Sequence, residues 1–140
     1  MGAKFTSGYS GTPLSRKLGI KPGFKVKLVD TPPEYRSYFN YFPEDIHEVE
    51  NSTEPVHFIH FFATEAEVLT LELPPLKQQL QQDGMIWISW PKKSAKKETD
   101  LTGNIVRHIG LKHGLVDIKV CAVNEIWSAL KFVIPVKDRV

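Results

Sequence analysis

The sequence predicts an α/β domain with a mostly parallel sheet, helices on both faces and a C-terminal antiparallel hairpin. Three observations predict this fold. Apolar segments of strand length alternate with segments of helical periodicity, as in βαβ units. Two of the inner segments are nearly continuous apolar runs, which is typical of parallel strands covered on both faces. The last two strand segments are joined by a turn too short for a parallel connection.

The composition is that of an ordinary globular protein, and we expect one domain spanning residues 1–140. The chain is 41% hydrophobic and 24% charged, and its formal charge of +2 is too small to indicate a nucleic-acid partner. No apolar run has membrane-spanning or signal-peptide length, so we expect a cytoplasmic protein without a membrane contact. Residues 1–11 are expected to form an irregular arm through which the chain could form a homo-oligomer.

The first elements follow from caps and alternation. A short helix is expected at 12–19, with Thr12 as N-cap, Pro13 in the first helical position and Gly19 ending it. Residues 24–30 form a strand, because apolar and lysine side chains alternate there. A helix is then expected from Thr31, since four aromatic residues follow at helical spacing: Tyr35, Tyr38, Phe39 and Phe42.

The second long strand and its helix have clear signals. Residues 56–62 are a nearly continuous apolar run, and Thr64 with Glu67 has the spacing of a capping box that starts a helix. Pro74 and Pro75 are expected to kink this helix or to divide it into two abutting helices, and Gly84 is expected to end it.

The remaining elements complete the pattern. Residues 85–90 are expected as the third long strand, and a third helix is expected to begin at Thr99 or Asp100 and to stop at Gly114. Residues 116–122 and 127–134 then form the closing hairpin.

The third long strand runs into the one basic loop of the chain. Ligands of open α/β sheets bind beyond the carboxyl ends of the strands. We therefore expect Lys92 and Lys93 to hold a small anionic ligand, with Trp90 able to stack on a planar group. The alternatives remain open, because the lysines could form a solvated loop and Trp90 could belong to the core.

Three further side chains are expected at the same edge of the sheet. Asp30 could bind a ribose hydroxyl, act as a base, or cap the following helix. Thr31 and Thr64 could place hydroxyls and helix N-termini around one crevice, or serve as ordinary N-caps.

Metal and nucleophilic chemistry have no signature in the chain. His57 and His60 are three residues apart in a predicted strand, so they point to opposite faces, and no cysteine or carboxylate cluster joins them. Cys121 is the single cysteine and has no evident activator. We expect no metal site, and the sequence identifies neither catalytic residues nor a cofactor.

Five short motifs occur in order along nearly the whole chain: GYSGTPL at 8–14, KLGIK at 17–21, WPKK at 90–93, TDL at 99–101 and VDIKV at 116–120. With these motifs the sequence resembles a small bacterial family, frequent in actinobacteria, whose members are domains of unknown function. The resemblance implies no activity.

Two segments resemble S-adenosylmethionine-dependent methyltransferases. Residues 20–26 are similar to the lead-in to their first strand, and residues 76–88 to a later helix, turn and strand. The resemblance implies a Rossmann-like, methyltransferase-like sheet. Those enzymes follow the first strand with a glycine-rich turn, whereas this chain has Asp30, Thr31, Pro32 and Pro33 there. The two prolines remove two N–H donors and stiffen the turn.

Three hypotheses follow for function. The leading one is a non-catalytic Rossmann-like domain that binds a small anionic ligand at the carboxyl ends of its strands. The second is a divergent transferase that uses S-adenosylmethionine or a nucleotide, which requires an open pocket beside Asp30. The third is a protein-interaction module that works through the N-terminal arm and the tyrosine-rich helix.

Overall fold

The computed structural model describes residues 12–50 and 53–140, which form a six-stranded sheet with the order β2-β1-β3-β4-β6-β5. The pairs among β2, β1, β3 and β4 are parallel, and β6 is antiparallel to both β4 and β5. The predicted fold class is thus confirmed. The expected arm at 1–11, and any oligomer contact through it, lies outside the described residues. The strands are β1 (Lys25–Val29), β2 (His47–Glu48), β3 (Val56–Phe62), β4 (Leu80–Pro91), β5 (Val116–Ala122) and β6 (Trp127–Val133), and the helices are α1 (Leu14–Leu18), α2 (Ala66–Gln79) and α3 (Gly103–Lys112).

Each face of the sheet has its own apolar core. Helices α2 and α3 cover one face, where leucines of α2 pack on alternate residues of β3 and β4. Helix α1 and the aromatic segment after β1 cover the other face. β3 supplies both cores, which explains why its sequence is an almost unbroken apolar run.

Helix α1 is fixed to the sheet through its C-terminal end. Gly19 follows it with φ +82°, a left-handed conformation that ends the helix as predicted. The carbonyl oxygen of Leu18 accepts a hydrogen bond of 2.7 Å from the indole N–H of Trp87. The predicted N-cap was wrong, because the N-cap residue is Pro13, which makes no side-chain capping bond.

The helix expected after Thr31 does not form. Only a single 3-10 turn is present at Tyr35–Tyr38, and Phe39 is already extended. Aromatic residues have weak helix propensity, and Pro43 prevents continuation of a helix, so core burial decides the path of this segment instead. The segment leads to β2, a two-residue strand that sequence patterning did not predict. Tyr41 is 60% exposed, whereas Tyr38 is only partly exposed.

The boundary between α2 and β4 differs from the prediction. The helix contains Pro74 and Pro75 and ends at Gln79, and β4 begins at Leu80. Gly84 therefore lies inside the strand instead of ending the helix. It is buried there, and a Cβ would lie 2.9 Å from the carbonyl oxygen of His57, so close backbone approach requires glycine.

Helix α3 begins later than expected. Its N-cap is Thr102, whose hydroxyl accepts a hydrogen bond from the backbone N–H of Ile105 at 3.2 Å, and not Thr99 or Asp100. Across the described parts of the chain, no helix is long and apolar enough to cross a membrane.

Candidate functional site

A crevice of about 620 Å³ opens at the carboxyl ends of β1 and β3. The chain leaves β1 to form β2 on one side and then crosses over to form β3 on the other side. A topological switch point therefore lies between β1 and β3. Because ligands of open α/β sheets bind at such points, the crevice lies where this fold is expected to bind a ligand.

One wall of the crevice is the segment that directly follows β1. Asp30 adopts φ +55°, a left-handed conformation that aspartate tolerates better than most residues. Thr31, Pro32 and Pro33 continue the wall. The prolines line the space without filling it, although they offer a ligand no N–H donors.

The opposite wall is formed where β3 passes into α2. Thr64 and Glu65 line the crevice here. The capping box predicted from Thr64 and Glu67 is absent, because the N-cap residue is Glu65 and makes no side-chain capping bond. Instead, the backbone N–H of Ala66 donates to Oδ1 of Asp100 at 2.8 Å. The N-terminus of α2 thus already interacts with a carboxylate of its own chain.

Two aromatic side chains form the apolar part of the crevice. Trp127 and Phe62 both line it, with ring centroids 4.9 Å apart and planes at 84°. The ammonium group of Lys97 lies over the Trp127 ring, 5.9 Å from its centroid. Oδ1 of Asn124 accepts hydrogen bonds from the backbone N–H groups of Ile126 and Trp127, which fixes the turn that carries the indole.

Half of the predicted site residues lie at the crevice. Asp30, Thr31 and Thr64 line it, as the strand-end argument predicted. Their role in binding stays a prediction. The structure brings them together from two neighbouring strands, whose carboxyl ends meet at one edge of the sheet.

The other predicted residues lie elsewhere. Trp90, Lys92 and Lys93 do not line the crevice. Trp90 is 9% exposed and packs on the helical face, where Gly103 of α3 lies against its ring. The backbone N–H of Lys92 donates to the carbonyl oxygen of Ile126, and Lys93 begins an exposed 3-10 turn. The loop turns away after the strand, and the lysine that reaches the crevice is Lys97.

The charge of the crevice differs from the expected anion site. Three carboxylates line it, those of Asp30, Glu34 and Glu65, against the single ammonium of Lys97. Oε2 of Glu34 accepts a hydrogen bond of 3.0 Å from the hydroxyl of Tyr38. Burial, followed by this contact with Glu34, raises the pKa of Tyr38, so its hydroxyl keeps its proton. The lining therefore favours ligand groups that donate hydrogen bonds or carry positive charge.

A buried hydrogen-bond network lies behind the β1 wall. The hydroxyl of Tyr35 is bonded to Nδ1 of His60 at 2.9 Å, and Nε2 of His60 is bonded to the hydroxyl of Ser89 at 2.7 Å. His60 also stacks on Phe62, with ring centroids 4.4 Å apart. Burial lowers the pKa of His60 to about 3 and raises that of Tyr35, so both side chains are neutral. The network ties the segment after β1 to β3 and β4.

Other reactive groups do not join the crevice. Burial raises the pKa of the Cys121 thiol, which opposes formation of a nucleophilic thiolate. Over residues 12–50 and 53–140, no group of three or more histidine, cysteine and acidic side chains is arranged to hold a metal ion.

The crevice residues that sequence patterning missed include two aromatic residues and two acids. Trp127 and Phe62 looked like ordinary strand residues, and Glu34 and Glu65 like helix-start acids. Two of them could have been identified from their position in the sequence, because Phe62 and Glu65 flank the predicted strand end at Thr64. The contribution of Trp127 depends on the antiparallel placement of β6 next to β4, which brings the start of β6 to the same edge.

Comparison with known proteins identifies the fold class. No family model matches the sequence, and no curated protein matches it. The resemblance of the short motifs to a bacterial family is therefore not supported by a match to a family model or to a curated protein. Solved structures do match: an S-adenosylmethionine-dependent methyltransferase from Aquifex aeolicus superposes with a TM-score of 0.56 at 15% identity, over 86% of this chain and 88% of that one.

Two further structures show the same likeness. Magnesium protoporphyrin IX methyltransferase from Synechocystis PCC 6803, with bound SAH, gives a TM-score of 0.57 at 9% identity, over 86% of this chain and 78% of that chain. LepI in complex with SAM gives 0.54 at 14% identity, and the matched region covers 86% of this chain but 39% of LepI. The fold is thus a Rossmann-like sheet of the methyltransferase type, and identities this low show the fold alone.

Proposed function

We propose that this chain is a non-catalytic domain that binds a small molecule in the crevice between β1 and β3. One observation carries the proposal: an open space of about 620 Å³ lies at the topological switch point, beside an Asp30 held in the left-handed conformation. Non-glycine residues in such conformations cluster at ligand sites, where the surrounding structure maintains them.

The lining supports a ligand with several kinds of group. Asp30 and Glu65 favour hydroxyl or ammonium donors, and Lys97 offers a place for one anionic group. Trp127 and Phe62 provide an apolar surface suited to a planar ring. A ligand of mixed polarity thus fits better than the purely anionic one that the lysine loop suggested.

S-adenosyl compounds are the first probes to try. The LepI and magnesium protoporphyrin IX methyltransferase structures contain SAM and SAH, respectively. These molecules combine hydroxyls, an ammonium, a carboxylate and a planar base, which is the mixture that the lining favours. Here they serve as probes of the crevice.

Calorimetric titration with SAH, with adenosine as a truncated probe, tests the proposal. We expect SAH to bind and Asp30→Asn to weaken it about tenfold, since a charged hydrogen bond contributes about 1.5–3 kcal/mol. Asp45→Asn is the matched control, because Asp45 also has a positive φ, of 60°, but precedes β2 and so lies toward the edge where the parallel strands begin, opposite the crevice. The proposal would be refuted if both variants weakened SAH binding equally. It would also be refuted if neither SAH nor adenosine bound to the wild type.

The transferase remains a second candidate because the space beside Asp30 is open despite Pro32 and Pro33. This is the condition that such an activity requires. Incubation of the protein with SAM and a small-molecule cell extract, followed by mass spectrometry for SAH, distinguishes the two. SAH production that Asp30→Asn abolishes and Asp45→Asn spares would favour the transferase, whereas SAM binding without SAH production favours the binding domain.

A further inference from the structure

Four lysines lie together on the sheet face that α1 covers, and we name them the lysine cluster: Lys17, Lys21, Lys119 and Lys131. Lys119 and Lys131 are direct partners across the antiparallel β5–β6 ladder. The ammonium group of Lys119 reaches the carbonyl oxygen of Lys17 at 3.5 Å. Lys21 lies in the turn after α1, and its charge acts on Lys131. Three separate parts of the chain thus bring positive charge to one place.

The arrangement is electrostatically unfavourable as it stands. Like charges directly opposite each other across two strands destabilise a sheet. Lys131 is also partly buried, and burial, followed by the charges of Lys119 and Lys21, lowers its pKa. In the described ranges, the ion pairs join other residues, and none involves Lys21, Lys119 or Lys131. Within these ranges, Lys119 and Lys131 therefore face each other without an ion-pair partner.

The cluster is separate from the crevice. Lys21 precedes β1, and therefore lies toward the edge where the parallel strands begin, whereas the crevice lies where they end. Lys131 is paired with Trp87, four residues before the end of β4, and not with the strand-end residues. A ligand at the cluster would be independent of one in the crevice.

The geometry points to a second binding site, in which Lys119 and Lys131, paired across the β5–β6 ladder, hold a compact multivalent oxyanion, namely the phosphate group of a small molecule. A phosphate between the ammonium groups of Lys119 and Lys131 would remove the repulsion between them and supply each with an acceptor. Lys119 is held in place by its contact with the end of α1. This site is separate from the crevice, and the inference does not rest on the proposed function.

Calorimetric titration with pyrophosphate at low ionic strength tests the site, with phosphate as the smaller probe. We expect Lys131→Gln and Lys119→Gln each to weaken pyrophosphate binding about tenfold, as expected when one charged hydrogen bond is lost. Lys93→Gln and Lys96→Gln are the controls, since both residues are exposed and belong to the loop after β4. Absence of pyrophosphate binding, equal weakening in the controls, or binding of only long polyanions such as heparin would overturn the site.

Two additional readouts separate binding from folding. Both glutamine variants are expected to unfold at the wild-type midpoint or above it, because they remove like-charge repulsion. Limited acetylation followed by mass spectrometry should show pyrophosphate protecting Lys119 and Lys131 but not Lys96. SAH binding to the crevice should be unchanged in Lys131→Gln. The SAH and pyrophosphate titrations therefore test the two sites independently, and either proposal can fail while the other holds. Equal acetylation with and without pyrophosphate would contradict the assignment.

Discussion

The hydroxyl of Tyr35 and the ring of His60 are joined by a buried hydrogen bond of 2.9 Å that links the crevice wall to the centre of the sheet. Tyr35 comes directly after Glu34, the last wall residue on the β1 side. His60 is fully buried, and its second nitrogen is bonded to Ser89. The wall segment is therefore held by a polar contact inside an otherwise apolar core.

Tyr35→Phe tests this contact, since it keeps the ring and removes the hydroxyl. We expect a loss of about 1–3 kcal/mol in the free energy of unfolding, because Nδ1 of His60 becomes a buried group without a partner. Urea unfolding followed by fluorescence measures it. Tyr41→Phe is the control, because Tyr41 is 60% exposed. A loss below about 0.5 kcal/mol in Tyr35→Phe, the range of neutral surface changes, would show that the bond has no net role.

The stability of the fold should depend on pH through His60. Its pKa is lowered from 6.5 to about 3 by burial, so the unfolded chain binds a proton over a range in which the native protein does not. Its contribution is fully present above pH 6.5 and is lost as the pH falls from 6.5 toward about 3. The slope approaches about 1.4 kcal/mol per pH unit within that range.

The measurement is urea unfolding from neutral pH down to about pH 4, comparing the wild type with two variants. His60→Gln should lower the slope, whatever its effect on absolute stability. His108→Gln, on the exposed side of α3, should leave the slope unchanged. Equal slopes in the wild type and His60→Gln would mean that the ring is protonated in the native state.

The N-terminus of α2 gives a further prediction, which concerns Asp100. Asp100→Ala removes the side chain that accepts the hydrogen bond from Ala66 and leaves the helix start uncapped. We expect a loss of about 1 kcal/mol in the free energy of unfolding. Glu67→Ala is the matched control, since Glu67 would be the important residue if a capping box were present. Thermal unfolding of both variants measures the two losses of stability. A larger loss in Glu67→Ala than in Asp100→Ala would contradict the observed capping.

This cap shows how far local patterns go. The sequence around Thr64 correctly indicated that a helix starts there, because helix starts have local signatures. The capping carboxylate of Asp100 lies 34 residues along the chain from Ala66, so a search for local capping patterns does not find it. Strand β3 was predicted with the bounds that the structure shows, because burial on two faces leaves a continuous apolar run there. The start of β4 was predicted five residues too late, and β2 was not predicted.

The crevice lies at the strand ends where the sequence predicted a site, and half of the predicted residues line it. Asp30, Thr31 and Thr64 were found because the carboxyl ends of parallel strands must meet at one edge. Lys92 was misplaced because the direction of a loop after its strand is set by tertiary hydrogen bonds, here to Ile126. The helix prediction for the aromatic segment after β1 was wrong for a related reason, because packing of its side chains in the core outweighed their helical spacing.

The left-handed conformation of Asp30 yields a prediction that joins stability to the crevice. A residue with a Cβ at φ +55° carries a cost of about 1–2 kcal/mol that glycine avoids. Asp30→Gly should therefore be more stable than Asp30→Ala by about that amount, because alanine keeps the strain without the local hydrogen bonding available to aspartate. Urea unfolding of the two variants gives the difference directly.

The same pair of variants separates the backbone of the wall from its carboxylate. Both lack the carboxylate, so both should bind SAH more weakly than the wild type, even though Asp30→Gly retains the stability of the fold. Asp45→Gly and Asp45→Ala repeat the comparison at φ +60° away from the crevice, where stability should change in the same direction and SAH binding should not. If Asp30→Gly bound SAH as tightly as the wild type, the carboxylate would have no part in binding, and the conformation of the turn alone would shape the crevice.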